Sequence, residues 1–432
     1  MKKFLRKGLT PGRIIALGFA SVILFGAIML LLPISQNENV NLSFIDALFT
    51  STSAVCVTGL VTVDTAETFS VFGRTILALL IQIGGLGVTS IGVGIIILSG
   101  RKIGLRERTL AKEGLNYASV KGILALVKSV LLVTLTFETV GMILSFIVFA
   151  KDYGFVKGLG ISAFHSVAAF NNSGFDILGG MKNLADYKNN AFLNLVTCGL
   201  IIFGGLGFFT IQEIIHKRSF KKFSLHSKIV IFTTGFLLIS GTILLKLTEN
   251  ITWLGAFFNS TSARTAGFST FPLANFSNAG LLTLCILMFI GASPGSTGGG
   301  IKTTTFFVLL KSLFSVSTNK SCTAFKRQIP KDILYKAFSV TSLALMVVLC
   351  STFALTISEP DTDFMKLLFE VISGFGTVGL STGITPELAV FSKSVLVLTM
   401  FIGRLGPLTV ATLWMFKRSS GISFAEEPVN IG

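Results

Sequence analysis

The stretch Phe49-Thr-Ser-Thr-Ser-Ala-Val-Cys-Val-Thr-Gly59-Leu60 decides the fold. It lies between two long apolar runs, is too short and too polar to cross a bilayer, and ends on a glycine followed by a large apolar residue. Three more stretches repeat its frame: Phe164-His-Ser-Val-Ala-Ala-Phe-Asn-Asn-Ser-Gly174-Phe175, Phe257-Phe-Asn-Ser-Thr-Ser-Ala-Arg-Thr-Ala-Gly267-Phe268 and Phe369-Glu-Val-Ile-Ser-Gly-Phe-Gly-Thr-Val-Gly379-Leu380. A Phe stands ten residues before the glycine each time, and the glycines are 115, 93 and 112 residues apart.

A second signature follows, its first glycine 24 to 30 residues later: Ile83-Gly-Gly-Leu-Gly87, Phe203-Gly-Gly-Leu-Gly207, Ile290-Gly-Ala-Ser-Pro-Gly295 and Ile402-Gly-Arg-Leu-Gly-Pro407. Two motifs in the same order four times define an internal repeat, with units at 1–100, 101–216, 217–328 and 329–432. Around the motifs, apolar windows long enough to span a bilayer fall near 13–34, 71–98, 119–149, 189–215, 226–248, 279–310, 332–357 and 392–416. The first is long enough to be retained as a helix rather than cleaved as a signal peptide. Each unit thus reads as span, half-helix, glycine turn, span. With two spans per unit, all four share one orientation and fit around one axis. The expected fold is an all-α multi-pass membrane protein with eight transmembrane helices and four half-helices.

Composition agrees. Hydrophobic residues make up 51% of the 432, and 13% are charged, against about 25% charged in soluble domains. The net charge of +16 suggests nucleic acid in a soluble protein, but here it sorts by side. With the N-terminus cytoplasmic, 25 of the 36 Lys and Arg fall on inner segments (Lys2, Lys3, Arg6, Lys7, Arg101, Lys102, Lys121, Lys417 and Arg418 among them), and eight fall outside. That is the positive-inside pattern, with both termini cytoplasmic. The basic excess is a topology signal and excludes nucleic acid as the partner. Five scattered Cys and three His form no metal-ligand or nucleophile–base pattern, so neither an enzyme nor a resident cofactor is expected.

A segment that enters and leaves the bilayer must satisfy its backbone within protein or around a water-filled cavity. Four half-helices around one axis would direct their partly negative C-terminal ends to the centre, which favours a cation. The extended residues beyond them can turn backbone carbonyls inward to replace an ion's hydration shell. Candidate filter residues are Val57, Thr58 and Gly59; Asn172, Ser173 and Gly174; Thr265, Ala266 and Gly267; and Thr377, Val378 and Gly379. A cation would be held at the carbonyls of the four glycines. Tight-packing glycines of the GxxxG kind are the blander reading of single positions, but they do not explain a fourfold register.

The fourth copy, Thr377-Val-Gly-Leu-Ser381, resembles the filter of potassium channels with its second glycine lost. The whole pattern resembles the Trk/Ktr/HKT superfamily. Phe44-Ile-Asp-Ala-Leu-Phe49, Val57-Thr-Gly-Leu60, Ile81-Gln-Ile-Gly-Gly-Leu-Gly87 and Phe401-Ile-Gly-Arg-Leu-Gly-Pro407 look like the membrane subunit of bacterial Ktr systems. The resemblance covers essentially the whole chain. It implies potassium uptake through one pore per chain, a homodimer in the plasma membrane and a cytoplasmic ring of nucleotide-binding regulatory subunits. In that superfamily a serine at the first filter position marks sodium-preferring members; Gly59 points to potassium, with sodium dependence left open.

The third inner span is broken by Gly291-Ala-Ser-Pro-Gly-Ser-Thr-Gly-Gly-Gly-Ile-Lys302, which cannot sustain a helix. A flexible loop below the filter is a candidate gate, and the resemblance implies an intramembrane gating loop there. Gate residues are Gly291, Pro294, Gly295, Gly298, Gly299, Gly300, Lys302 and Arg404, whose charge at membrane depth is costly and points to function. Pairing with Glu138 is the structural alternative for Arg404, and snorkelling to the inner surface is the one for Lys302. Arg264 is expected to brace the third filter segment through carbonyls or an outer acid. Residues 295–303 nearly fit a phosphate-binding loop, but Ile301 intrudes and no strand precedes it. The rival function is an ion-coupled symporter, weakened because Glu138 is the one acid expected at membrane depth. The basic inner loops and the end 426–432 are candidate surfaces for a regulatory partner or a dimer mate. Anionic lipid is the simpler partner for the loops.

Overall fold

The computed structural model describes residues 10–38, 40–99, 104–114 and 122–413. The basic N-terminal run, Arg101, Lys102, Lys121, Lys417, Arg418 and the tail 426–432 lie outside them.

Every repeat opens on a long apolar helix: Pro11–Leu31, Ile123–Tyr153, Leu225–Thr248 and Lys331–Ser358. At 1.5 Å per residue each reaches across a hydrocarbon core of about 30 Å. Their outward faces carry exposed Leu, Ile and Phe, such as Leu132, Leu135, Ile143 and Ile147 on the second, which is what a lipid-facing helix presents.

The four polar stretches form the short helices Phe44–Val55, Phe155–Phe170, Trp253–Ser262 and Phe364–Gly376. Ser43 and Thr252 start two of them by accepting the amides of Asp46 and Gly255. All four end before a residue in a left-handed or positive-φ conformation: Val57, Asn172, Thr265 and Thr377. The framing Phe anchors the half-helix in the core at Phe49, Phe164 and Phe369; in the third repeat the neighbouring Phe258 is the fully buried ring.

Beyond each half-helix the chain crosses back. The sequence reading breaks only the third of these inner spans, yet all four are interrupted. Val71–Leu86 turns through 95° into the next helix, and Ala191–Leu206 through 100° into Phe208–Lys217. Val390–Leu405 gives way to Pro407–Thr412 at Gly406. In the third repeat the irregular segment 290–302 separates Asn278–Phe289 from Thr303–Ser317. The Gly-x-Leu-Gly signature of the first, second and fourth repeats has two causes. Gly87, Gly207 and Gly406 sit at φ of 82°, 87° and 87°, where a side chain is strained. Gly84, Gly204 and Gly403 pass so close to their own half-helix that a Cβ would lie 2.1, 1.9 and 2.0 Å from the carbonyl oxygens of Val55, Phe170 and Phe375.

The repeats close into a ring. The second half-helix packs on the first inner span, the third on the second, the fourth on the third, and the first on Val390–Leu405 of the fourth repeat. At that last junction Lys393 and Asp46 form a salt bridge of 2.9 Å.

Candidate ion-conduction path

The four sequence-predicted filter segments meet at the centre, and all twelve of their residues are buried. They touch in cyclic order. A Cβ at Gly59 would lie 2.2 Å from the carbonyl oxygen of Ser173, one at Gly174 2.8 Å from that of Ala266, one at Gly267 2.2 Å from that of Val378, and one at Gly379 2.1 Å from that of Thr58. Each glycine therefore abuts the carbonyl that precedes the next glycine, and the fourth contact returns to the first segment. The glycines sit at φ of 95°, 69°, 78° and 91°, so both space and backbone demand this residue type.

Peptide orientation follows from the half-helices. The Gly59 and Gly379 amides donate to the hydroxyls of Ser53 and Ser373, both at 3.0 Å. The amides of Thr58, Ser173 and Val378 donate to half-helix carbonyls at 2.7, 2.9 and 2.9 Å. In a trans peptide N–H and C=O point oppositely, so amides tied outward turn the carbonyls of Thr58 and Val378 toward the axis. Among the described residues, no hydrogen bond uses the carbonyl oxygens of Thr58, Ser173, Ala266 or Val378. Buried backbone carbonyls are almost always paired; a ring of four unpaired ones fits a dehydrated cation. Of the glycine carbonyls, that of Gly174 accepts from the Asn183 amide at 3.1 Å, so the glycine ring is not free at all four places, whereas the ring formed by the preceding residues is.

On the outer side a cavity of about 470 Å³ is floored by Gly59, Gly174, Gly267 and Gly379 and walled by Asp64 and Asp176 among others. On the inner side a cavity of about 380 Å³ is lined by Pro294, Gly298, Gly300, Lys302 and Arg404. The segment 291–302 thus forms part of the wall of the inner cavity. Its Gly299 amide donates to the Thr377 hydroxyl at 2.9 Å, and a Cβ at Gly298 would lie 2.5 Å from the Thr265 hydroxyl. Pro294 and Gly295 reach the second repeat, where the Phe208 amide donates to the Gly295 carbonyl at 3.0 Å and the Ser293 amide to that of Gly205 at 3.0 Å. Gly291 and Gly300 pack on each other within the segment.

Arg404 donates to the carbonyls of Thr297 in this segment and Gly84 in the first inner span. It does not meet Glu138, whose carboxylate instead accepts from Gln82 at 3.2 Å and Asn171 at 2.9 Å. Lys302 does not snorkel: its ammonium turns back to the Gly298 carbonyl at 2.7 Å. Arg264 is buried behind the third filter segment, and its Nε finds no partner among the described residues, so the expected carbonyl brace is absent at that atom. The sequence reading missed Glu370, a fully buried carboxylate in the fourth half-helix. Its position in an amphipathic stretch ahead of a filter glycine was the available signal.

Comparison with known proteins follows the same lines. The model of the TrkH family, described as cation transport protein, matches residues 18–251 and 228–425. The chain is 39% identical to the Ktr system potassium uptake protein B of Bacillus subtilis, over 98% of this chain and 97% of that one. It is 38% identical to the potassium/sodium uptake protein NtpJ of Enterococcus hirae, over 100% and 99%. The crystal structure of the potassium transporter TrkH from Vibrio parahaemolyticus superposes with a TM-score of 0.75 at 19% identity, covering 95% of this chain and 86% of that one. A matched family model across nearly the whole chain and full-length relatives of this identity carry one conclusion: the chain belongs to the TrkH family of cation transport proteins.

Proposed function

We propose that the chain is the pore-forming subunit of a potassium uptake system and conducts the ion passively along its central axis. The observation that carries this reading is the cyclic contact of four glycines with four unpaired carbonyls. A potassium ion leaving the outer cavity exchanges its hydration water for these oxygens. The inner cavity then leads to the cytoplasm, with both termini on that side, as the basic inner segments support. The segment 291–302 lies across this path and is the gate, latched by Arg404. A homodimer and a cytoplasmic nucleotide-binding ring as regulator are in keeping with relatives named as parts of Ktr systems. The relative named for both potassium and sodium supports a sodium requirement.

The test is flux into proteoliposomes with potassium, rubidium or sodium as the permeant ion. Gly59→Ser places a hydroxymethyl against the Ser173 carbonyl and is expected to lower potassium-over-sodium discrimination by at least about tenfold, or ~1.4 kcal/mol. Unchanged discrimination in a folded variant would remove the filter assignment. Uptake that collapses when an opposing proton gradient is imposed would instead favour the symporter.

A further inference from the structure

Glu370 is fully buried, and its carboxylate accepts four hydrogen bonds from one short turn. Oε1 receives the Ser381 hydroxyl at 2.8 Å, the Thr382 amide at 2.8 Å and the Thr382 hydroxyl at 3.0 Å; Oε2 receives the Thr385 hydroxyl at 2.8 Å. The Ser381 hydroxyl in turn takes the Gly383 amide at 2.8 Å. Residues 381–383 follow the filter glycine Gly379 and border the outer cavity beside it. The Thr382 amide can only donate and the three hydroxyls can donate as well, so the turn offers an ionised carboxylate four hydrogen bonds. Among the described residues no Lys, Arg or His forms a salt bridge with it.

The other repeats lack this device. Nine residues before their glycines stand Thr50, whose hydroxyl is unpartnered, His165, which bonds Thr197 at 2.9 Å, and Phe258. The brace therefore belongs to the fourth segment alone, in a ring that is otherwise close to fourfold in its backbone.

We propose that Glu370 is a positioning and specificity-determining residue of the pore: it fixes the outer rim of the fourth filter segment and supplies the unpaired buried charge that an entering potassium ion meets as it sheds water. A fixed carboxylate behind the filter mouth, in surroundings of low dielectric, attracts a cation more strongly than a surface acid does. A rigid rim also holds the carbonyl spacing that separates potassium from the smaller sodium ion. The inference rests on the filter reading of Gly379.

The experiment measures rubidium uptake by full-length protein in proteoliposomes, as a function of potassium concentration and of competing sodium. Four variants are compared: Glu370→Gln, Thr385→Val, Thr50→Val and Gly379→Ser. Glu370→Gln keeps the size but loses the charge and one acceptor. It is expected to raise the half-saturating potassium concentration about tenfold and lower potassium-over-sodium discrimination, with maximal rate within about twofold, as for loss of one charge-assisted network. Thr385→Val, which removes one donor, should shift both quantities the same way by less. It decides the matter if the glutamine variant does not fold. Thr50→Val, at the matching place in the first repeat, should leave both unchanged. A merely structural role would lower the amount of folded protein and the maximal rate while leaving half-saturation and discrimination alone, and that result overturns the proposal. If Gly379→Ser retains discrimination, the filter reading fails and this inference falls with it. If Gly379→Ser loses discrimination while Glu370→Gln and Thr385→Val keep it, only the role of Glu370 is rejected.

Discussion

The amide of Gly299, in the middle of the broken third span, donates to the hydroxyl of Thr377, the residue that turns the fourth filter segment, at 2.9 Å. The irregular segment 291–302 is thus bonded to the proposed filter itself. A Cβ on Gly299 would lie 2.5 Å from the same hydroxyl, so Gly299→Ala must push the two apart. Loss of this buried hydrogen bond is worth about 1 kcal/mol. We expect basal rubidium flux to rise about fivefold, measured in proteoliposomes without any regulatory partner. A variant with wild-type flux would show that the segment is not a barrier.

Arg404 holds the same segment from the other side. Its guanidinium joins the Thr297 carbonyl to the Gly84 carbonyl, on repeats three and one. The planar fork is suited to two acceptors at once, whereas a lysine ammonium is a point donor on a flexible stem. Arg404→Lys should therefore open the latch partly and Arg404→Ala more fully, with basal flux rising in that order. Equal flux in both variants and wild type would reject the latch.

The outer cavity sets a pH dependence. Burial pushes the Asp176 carboxyl up to about 6, opposed by the Leu178 amide and helped by the neighbouring Asp64 charge. Below that value Asp176 is neutral; above it the wall gains a negative charge that concentrates cations at the mouth. Uptake at low potassium should rise between pH 5 and pH 7 and level off, and Asp176→Asn should flatten this rise. The stability sign is the reverse. A carboxyl raised in the folded state favours folding below its unfolded value of 3.8, and that contribution is lost as pH climbs through about 6. Thermal unfolding of the wild type should therefore shift slightly downward between about pH 4 and pH 6 relative to the asparagine variant.

The fourfold frame was legible because a glycine that needs positive φ and close approach tolerates no substitute, so its spacing survives as pattern: Gly59, Gly174, Gly267 and Gly379 were found that way and do meet. The irregular segment 291–302 was legible because proline and five glycines cannot be a helix. The breaks at Gly87, Gly207 and Gly406 were not, since Gly-x-Leu-Gly inside an apolar run reads equally well as close packing. Glu370 was hidden for a different reason. Its partners Ser381, Thr382 and Thr385 come within reach only when the chain folds back over the half-helix, and spacing along a chain does not report a reversal of that kind. The alternative for Arg404 misled similarly: charge alone suggested Glu138 as a mate, whereas bent inner spans expose backbone carbonyls that serve as acceptors.

The ring closes where the first and fourth repeats meet, and the salt bridge there is open to a stability test. Lys393 and Asp46 lie 2.9 Å apart with side chains 11% and 18% exposed, joining the fourth inner span to the first half-helix. The Ser43 hydroxyl also donates to Asp46 at 2.6 Å, so the carboxylate is anchored from both directions. Removing one partner strands the other charge in a poorly solvated place, which costs several kcal/mol at full burial and about 1–2 kcal/mol with this residual exposure. Asp46→Asn should therefore lower the melting temperature of the detergent-solubilised protein, and Lys393→Met should lower it less, because the carboxylate keeps Ser43. The double variant should be closer to wild type than Asp46→Asn alone, since no unpaired charge remains. Additive losses in the double variant would mean that the two residues act independently and that the ring is held shut by apolar packing.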